Sequence, residues 1–373
     1  MGHAMWREEF PVVQDTVFFN HSAVSPMPKR ARDAGVAVFD DRWQRASWDY
    51  FRWLDLIGDT RERAARLLGT TASQVAFTGN TSSGLSLVAA GLTWNPGDTV
   101  AVTWPDFPTV RFPCDALRAR GVRVVEIPRR NGRVDLDEAA KRIPGCRLVM
   151  ASTVDWVTGT AVDVAGLVTL CHRAGALCCL DVIQSLGAMP VNVASLGVDF
   201  AAAGCHKWQL GPMGLGIFYV MPGLEDLLAP VMVGWRSMEG EEHLGDVYQL
   251  KSSAGRFEPG TQDVAAIAAY GGSLSLLEEV GADTIRSAIF AVIDALCDGL
   301  AERGLSVISP MGEGERSSIL AFAHPQAEDL YNYLMQSRVF VSYRGGAIRL
   351  APHFYNDATD VERFFTILDG FGK

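Results

Sequence analysis

The chain has 373 residues, 48% of them hydrophobic, and its 33 basic and 43 acidic side chains give a formal net charge of −10. This length is too great for one small core, and the composition is too apolar for a disordered chain. The acidic balance argues against a nucleic-acid partner, because binding a phosphate backbone requires clustered Lys and Arg. We expect two domains, or one large domain with an appendage, and small metabolites remain open as ligands.

Cysteine usage and apolar segments indicate the cellular setting. The seven cysteines form no CxxC pair and no His/Cys spacing suited to zinc, so we expect reduced thiols, no metal site and a cytoplasmic location. The chain does not begin with a basic segment and an apolar run, so we predict no signal peptide. The longest uncharged stretch, 209–224, contains two prolines and four glycines, so we predict no membrane partner.

The first long predicted helical stretch, 29–68, carries a stripe of aromatic side chains. Its members are Phe39, Trp43, Trp48, Tyr50, Phe51 and Trp53. A stripe at helical spacing belongs more often to a core or a subunit interface than to a substrate site. We therefore assign no site to it.

From residue 60 onward, short apolar runs alternate with helix-length segments. The predicted strands are 74–77, 99–103, 122–127, 147–152, 176–181, 200–203 and 215–220. Seven such runs predict an α/β fold with a mainly parallel sheet covered on both faces. Ligands bind such sheets beyond the carboxyl ends of the strands, so polar residues just after each run are the site candidates.

The rhythm changes after an irregular polar segment, 236–256. The remaining chain predicts helices and short strands of a smaller α+β domain, at 283–303, 305–308, 318–322, 326–337, 339–343 and 347–350, followed by a final helix. We place the domain boundary near residue 260. Residues 31–259 then form a large domain and 260–373 a small one, with 1–30 as an N-terminal segment packing on the small domain.

Two strand ends carry the strongest polar signals. Asp181 and Gln184 follow one predicted strand, and His206 and Lys207 follow another. Taken alone, a carboxylate and an amine at neighbouring strand ends are as consistent with a simple ion pair as with a reactive site.

A third strand end is followed by TGNTSSGLS at 78–86, which opens a predicted helix. Free amides and a positive partial charge at a helix N-terminus suit a phosphate. A Ser/Thr helix cap explains one hydroxyl but not the cluster that includes Thr81 and Ser82, so phosphate binding is favoured. The segment is neither a Walker A loop nor a dinucleotide fingerprint.

A phosphate cradle, an acid and an amine are the parts required to hold pyridoxal 5'-phosphate. Lysine forms the Schiff base, and a carboxylate keeps the pyridine nitrogen protonated. Phe107, just past the second strand, is positioned to stack on the ring, although ordinary loop packing explains it equally well.

Nine motifs in order carry a resemblance that covers nearly the whole chain. They are FFNHSAVSPMP, TGNTSSGL, DFPT, STVDWVTGT, DVIQSLGAMPVNV, GCHKWQLGPMGLGIFYV, VGWRS, RFEPGTQD and IRLAPHFYN. This order resembles the class V aminotransferase group of fold type I pyridoxal-phosphate enzymes, which contains cysteine desulfurases, kynureninase and isopenicillin N epimerase-like proteins. Each motif is weak alone, but nine in sequence are specific.

The resemblance implies roles for individual residues. Lys207 matches the Schiff-base lysine and Asp181 the partner of the pyridine nitrogen, and together they are the catalytic pair. The remaining cofactor contacts are assigned to Gln184 at the ring hydroxyl, Phe107 on the ring face, and Thr81, Ser82 and His206 at the phosphate.

Further matches concern the substrate and a second subunit. Gly260 and Thr261 correspond to a loop that reaches the phosphate of the neighbouring subunit, which implies a homodimer. Arg349 matches the arginine that grips a substrate's α-carboxylate, a task suited to its bidentate guanidinium. The remaining substrate-binding assignments are Asn20, His21 and Trp235.

Three positions depart from the family pattern. Trp156 stands where desulfurases carry an Asn that faces the cofactor, and Gly204 stands where a phosphate-binding Ser is common. Cys205 lies beside the lysine, where the family has a small residue, so we interpret it as a packing residue.

The predicted reaction is a transformation of an amino acid at its α-amino group. We place aminotransferase first, a β-eliminating C–S lyase second and an epimerase third, since pocket candidates such as Tyr343, Arg344 and Arg236 do not discriminate them. Cysteine desulfuration is disfavoured because no cysteine follows Cys297, so 342–350 offers no thiol. An NAD-dependent oxidoreductase would need the missing glycine fingerprint, and a non-catalytic binding protein would have lost the lysine.

Overall fold

The computed structural model describes residues 2–240 and 248–372. Its strands in chain order are β1 (Val17–Phe18), β2 (Val75–Thr78), β3 (Thr99–Trp104), β4 (Arg123–Arg130), β5 (Arg133–Val134), β6 (Leu148–Ser152), β7 (Leu177–Asp181), β8 (Phe200–Gly204), β9 (Gly216–Val220), β10 (Leu320–Phe322), β11 (Val339–Phe340), β12 (Ser342–Arg344) and β13 (Ala347–Leu350). Its helices are α1 (Gly2–Arg7), α2 (Lys29–Arg45), α3 (Tyr50–Leu68), α4 (Thr81–Gly91), α5 (Pro108–Ala116), α6 (Leu136–Arg142), α7 (Val164–Arg173), α8 (Val193–Leu196), α9 (Val264–Val280), α10 (Ala282–Glu302), α11 (Ala327–Gln336) and α12 (Ala358–Leu368).

An eight-stranded sheet in the order β2-β9-β8-β7-β6-β3-β4-β5 organises the larger part of the chain. Strands β4, β3, β6, β7 and β8 pair in parallel, whereas β9 lies antiparallel between β8 and β2. The prediction of a mainly parallel α/β sheet is confirmed, with all seven predicted strands present. The eighth strand, β5, is a two-residue return from β4 and is too short to show in the sequence pattern.

Side chains of the central strands alternate between two cores. In β8, Phe200 and Ala202 belong to the core on one face, while Ala201 and Ala203 belong to the core on the other. This two-residue period places apolar side chains on both faces, which is why these strands appear as continuous apolar runs. Helices cover each face, so backbone polar groups reach ligands only at the strand ends.

The predicted helical stretch from 29 to 68 is two helices. Ala46 ends α2 in a left-handed backbone conformation with φ of 54°, and α3 begins at Tyr50. The aromatic stripe around this break is exposed and not in a core: Trp43, Trp48 and Phe51 are 83%, 85% and 80% accessible. A core position is excluded for these three residues, and a subunit interface stays the favoured prediction for the stripe.

Helix α9 packs closely on α2 and α3 at positions that only glycine fits. A Cβ on Gly272 would lie 2.7 Å from Ala31 Cα, and one on Gly271 would lie 2.6 Å from Thr60 Oγ1. The predicted boundary near residue 260 assigns α9 to the small domain, but its packing is on helices of the large one. The division at that residue therefore stays a prediction.

The C-terminal part contains the antiparallel sheet β10-β13-β12 with α10, α11 and α12 around it. The N-terminal segment joins this part, since β1 pairs in parallel with β11 and Arg7 forms an ion pair of 2.7 Å with the buried Asp360. No helix among residues 2–240 and 248–372 combines the length and apolar character required to span a membrane.

Candidate active site

A cavity of about 390 Å³ lies at the carboxyl edge of the large sheet. Most of its lining comes from the carboxyl ends of five strands, β2, β3, β6, β7 and β8, and from the residues that follow them. These strand ends meet at one edge of the sheet. The small sheet adds two arginines, and the N-terminal segment adds a short stretch. The lining residues are Ser22, Ala23, Val24, Asn80, Thr81, Ser82, Phe107, Thr109, Ser152, Val154, Trp156, Asp181, Ile183, Gln184, His206, Lys207, Arg344 and Arg349.

Asp181 and Lys207 face one another across neighbouring strand ends. Asp181 is 2% exposed, and burial raises the pKa of its carboxyl to about 7, although the Ile183 N–H, which donates to Asp181 Oδ1 at 2.9 Å, and Lys207 oppose the shift. Burial lowers the pKa of the Lys207 amine to about 8, with Asp181 acting in the opposite direction and two arginines adding to the decrease. The site therefore holds an amine that loses its proton close to neutral pH.

Phe107 presents its ring to the cavity from the loop after β3. Lys207 Nζ lies 5.8 Å from the ring centroid, and the Trp156 ring meets Phe107 edge-on at 5.4 Å. A buried carboxylate fixes this loop: Asp106 accepts hydrogen bonds from the Phe107 N–H at 2.7 Å and from Arg129 at 2.8 Å. Phe107 is thus a partly exposed aromatic platform on a rigid support.

The first turn of α4 forms a polar wall on one side of the cavity. Asn80 caps the helix by accepting the Ser83 N–H at 2.9 Å, which leaves the earlier amides free. Thr81 Oγ1 accepts the Gly204 N–H at 2.8 Å, and Ser82 Oγ hydrogen-bonds Thr109 Oγ1. Hydroxyls and free amides at a helix N-terminus suit an anion.

Gly204 lies close to the ring of His206. A Cβ on Gly204 would lie 3.0 Å from that ring, so a larger residue there would require the histidine to shift slightly. Burial, with a smaller contribution from Lys207, lowers the pKa of His206. Its ring is therefore neutral at pH 7 and acts as a hydrogen-bonding group beside the polar wall.

Arg349 and Gln184 border the opposite side. Arg349 is 2% exposed and donates to the Trp156 carbonyl and to Ser342 Oγ at 3.4 Å. Its buried Nε has no hydrogen-bond partner in the part of the chain that the structure describes. Gln184 donates one amide N–H to the Ser22 carbonyl at 3.1 Å, so its second N–H remains for a ligand.

The family model for "Aminotransferase class-V" matches residues 47–364. The chain belongs to the aminotransferase class-V family. A probable cysteine desulfurase from Pyrococcus abyssi is 26% identical over 98% of this chain and 97% of the relative, and a kynureninase from Pseudomonas fluorescens is 25% identical over 91% and 84%. The solved complex of the cystine C–S lyase C-DES with cysteine persulfide has a TM-score of 0.90 at 24% identity, covering 98% of this chain and 100% of that one.

As a class V member, the chain is a pyridoxal-phosphate-dependent enzyme of fold type I. The cavity fits this cofactor on its own observations. It offers an anion site at the start of α4, a buried carboxylate for a pyridinium, and an aromatic platform. Two buried polar atoms of its lining residues, Ser22 Oγ and Arg349 Nε, lack hydrogen-bond partners among residues 2–240 and 248–372. Unpaired buried polar atoms are costly, and a polar ligand would satisfy them.

Five of the predicted site residues lie outside this cavity lining. His21 is fully buried, with Nδ1 2.7 Å from the Ala351 carbonyl and Nε2 2.6 Å from the Tyr355 hydroxyl. The Asn20 side chain accepts from Ser342 Oγ. Both ring nitrogens of His21 are therefore occupied by the chain, and Asn20 contacts a neighbour of Arg349 and not the cavity itself.

The other three form a separate surface on the same chain. Trp235 is 43% exposed, and a Cβ on the preceding Gly234 would lie 2.0 Å from the Pro259 carbonyl, so this turn packs against the start of the loop that carries Gly260 and Thr261. Neither Gly260 nor Thr261 lines the cavity of its own chain, and Thr261 is exposed, which agrees with a loop that serves another subunit.

Sequence reasoning did not assign Ser22, Thr109 or Ser152, which also line the cavity. Ser22 lies in the N-terminal motif and Thr109 in DFPT, so both were within the recognised pattern. The signal for Ser152 was its position at the end of a strand.

Proposed function

We propose that this class V enzyme cleaves a C–S bond of an amino acid by β-elimination. The observation that carries the proposal is the buried Lys207 amine between Asp181 and Arg349 in one cavity. Pyridoxal phosphate, when bound, supplies an aldehyde that condenses with amino groups and a ring that withdraws electrons from Cα.

The side chains of the chain supply binding and proton transfer. Arg349 binds the α-carboxylate, and this ion pair fixes the orientation of Cα toward Lys207. Lys207, whose pKa is lowered to about 8 mainly by burial, accepts the Cα proton through Nζ as a general base. Asp181 would balance a protonated pyridine nitrogen, while Thr81, Ser82 and His206 would hold the phosphate.

Elimination now replaces aminotransferase as the leading hypothesis. The Pyrococcus abyssi relative is by its name a desulfurase, and the fold neighbour C-DES is by its title a C–S lyase. Desulfuration requires a positioned thiol, and none of the seven cysteines lines the cavity. A lyase releases the sulfur product into solution and requires no such thiol, so it agrees with the fold neighbour C-DES and with the cavity.

The proposal includes a cytoplasmic homodimer in which Gly260 and Thr261 contact the phosphate of the neighbouring subunit. The exposed aromatic residues near the α2–α3 break support it, because exposed apolar patches of this kind mark interaction surfaces. The exposure of Thr261, outside the lining of its own cavity, agrees with this proposal. All seven cysteines are unpaired, which suits a reducing compartment.

The test is to identify the products formed from L-cystine and S-substituted L-cysteines by the holoenzyme. We expect equal amounts of pyruvate and ammonia without an added keto acid. The variant K207A should lose activity by about 100-fold or more, whereas K141A, at an exposed residue of α6, should retain it. Alanine as the product, or amino exchange that depends on a keto acid, would overturn the elimination proposal in favour of a desulfurase or an aminotransferase.

A further inference from the structure

Two arginines of one hairpin point into the cavity. In the antiparallel pair β12–β13, Ser342 is opposite Arg349, and Arg344 is opposite Ala347. Directly opposed residues share a face of a sheet, as do residues two apart on one strand. Arg344 and Arg349 therefore lie on the same face, and both line the cavity.

The hairpin holds Arg344 in place through its tip. Gly345 has φ of +57°, and a Cβ there would lie 2.8 Å from Val157 Cγ1, so the tip rests on the loop that carries Trp156. Arg349 binds the Trp156 carbonyl on the same loop. Two contacts of the hairpin with this loop, one at Gly345 and one at Arg349, fix the backbone around Arg344. The side chain of Arg344 lines the cavity.

Arg344 has no acidic partner among the described residues. Its Nη1 donates to the carbonyl of its own neighbour, Tyr343, at 2.8 Å, and this leaves most of its five N–H groups free. Most other arginines in the described part of the chain form ion pairs with carboxylates, for example Arg111 with Glu126 and Arg303 with Asp369. An arginine that lacks such a partner and lines a ligand cavity is available for an anion.

Among the cationic groups of the cavity, Arg344 is the one for which the proposed function names no anion. Its lining contains three cationic groups, Lys207, Arg344 and Arg349, and one carboxylate, Asp181. The proposed phosphate cradle uses hydroxyls, backbone amides and the neutral His206, and the α-carboxylate of a substrate balances Arg349. Burial and then repulsion from Arg344 lower the pKa of Arg349 to about 9, so the two guanidiniums interact unfavourably until an anion separates them.

We propose that Arg344 binds an anionic group on the substrate's side chain, which makes the natural substrate an amino acid with an acidic β-substituent. Arg349 then binds the α-carboxylate and Arg344 binds the anionic group of the side chain, so the hairpin contacts both charged ends of one substrate. This inference rests on the proposed function, because it assumes that an amino acid occupies the cavity.

The test compares acidic amino acids with their neutral amides of the same shape. Binding of L-glutamate, L-glutamine, L-aspartate and L-asparagine to borohydride-reduced holoenzyme is measured by calorimetry, where no reaction follows. We expect at least one acid to bind about tenfold or more tightly than its amide, as for a charge-assisted hydrogen bond. The ratio kcat/KM for S-carboxymethyl-L-cysteine over S-carbamoylmethyl-L-cysteine should show the same preference.

The variant R344Q should reduce both ratios toward one. R147Q is the matched control, since it removes the same charge from an exposed residue at the opposite edge of the sheet, before β6. Equal affinity for acids and amides in the unchanged protein, or a ratio that survives in R344Q, would overturn the inference. So would a loss of pyridoxal-phosphate affinity in R344Q without a change in ratio, which would assign Arg344 to the cofactor phosphate.

Different results would overturn the proposed function and the inference about Arg344. A protein whose visible absorbance does not respond to borohydride lacks the lysine linkage, and this would overturn the proposed function. A protein that does respond, and eliminates neutral S-substituted cysteines as fast as acidic ones, keeps the proposed function and loses this inference.

Discussion

Asp181 and Lys207 show how one residue's position changes its chemistry. Asp181 is the last residue of one strand and Lys207 follows the neighbouring strand. The side chains of both strands are buried on both faces, so a charged group there loses its hydration. Burial shifts both pKa values toward the neutral form, upward for Asp181 and downward for Lys207, despite their mutual attraction. The sequence alone left a simple ion pair as an equal alternative; the opposite pKa shifts and the shared cavity favour an acid–base pair.

Burial of Asp181 predicts a stability cost in the cofactor-free protein. Its pKa is about 7 in the folded chain and 3.8 when unperturbed, so between these values the folded state binds more protons than the unfolded state. The free energy of unfolding therefore falls as pH rises from 4 to 7. D181N should remove this fall and stabilise the cofactor-free protein at pH 7 by about 1 to 3 kcal/mol, as measured by urea unfolding at both pH values.

D137N provides the control, because Asp137 is exposed on α6. It should leave the pH dependence unchanged. The same D181N substitution should weaken pyridoxal-phosphate binding, since the pyridine nitrogen would lose its anionic partner. A D181N protein with the pH dependence of the unchanged chain would contradict the burial argument.

Among the elements, the hairpin β12–β13 connects the small sheet to the cavity. Its tip contains two successive glycines in the left-handed region, Gly345 with φ of 57° and Gly346 with φ of 80°. Only Gly345 is in close contact, with Val157, while a Cβ on Gly346 meets no atom within 4 Å. A side chain at either glycine would strain the backbone, but only a side chain at Gly345 would also press on the loop that carries Trp156 and Val157.

We predict that G345A destabilises the protein by about 1 kcal/mol more than G346A. Both substitutions strain a left-handed backbone by about 1 kcal/mol, but only the first also forces the hairpin away from Val157. Urea unfolding measures the difference. Because the hairpin carries Arg344, G345A should also lower the preference for acidic amino acids, and G346A should not. Equal effects of the two would show that the tip moves independently of the loop.

The sequence predicts the positions of strands better than it predicts which residues surround a given side chain. The seven strands and the polar residues after them follow from short continuous apolar runs, which are a local property. The end of α2 at Ala46 follows no helix-stop signal, so one helix was predicted where two exist. Burial of His21 depends on Ala351 and Tyr355, more than 300 residues away, and no local pattern reports such contacts.

For the whole molecule, the exposed surfaces are as informative as the core. The aromatic residues near the α2–α3 break and the loop with Thr261 are both exposed on a single chain, although the family motif places that loop at a phosphate. A dimer would cover the first surface and give the second its ligand. The cavity of one chain would then be completed by its partner.

Mixing two inactive variants tests this arrangement. K207A lacks the base, and T261D places a negative charge where a phosphate should bind, so each homodimer should be inactive. If Thr261 serves the neighbouring subunit, a mixed dimer contains one doubly defective site and one intact site. Refolding the two together at equal amounts should restore about a quarter of the unchanged enzyme's sites, because half the dimers are mixed and each has one working site. If Thr261 served its own chain, both sites of every mixed dimer would be defective, and no activity would return.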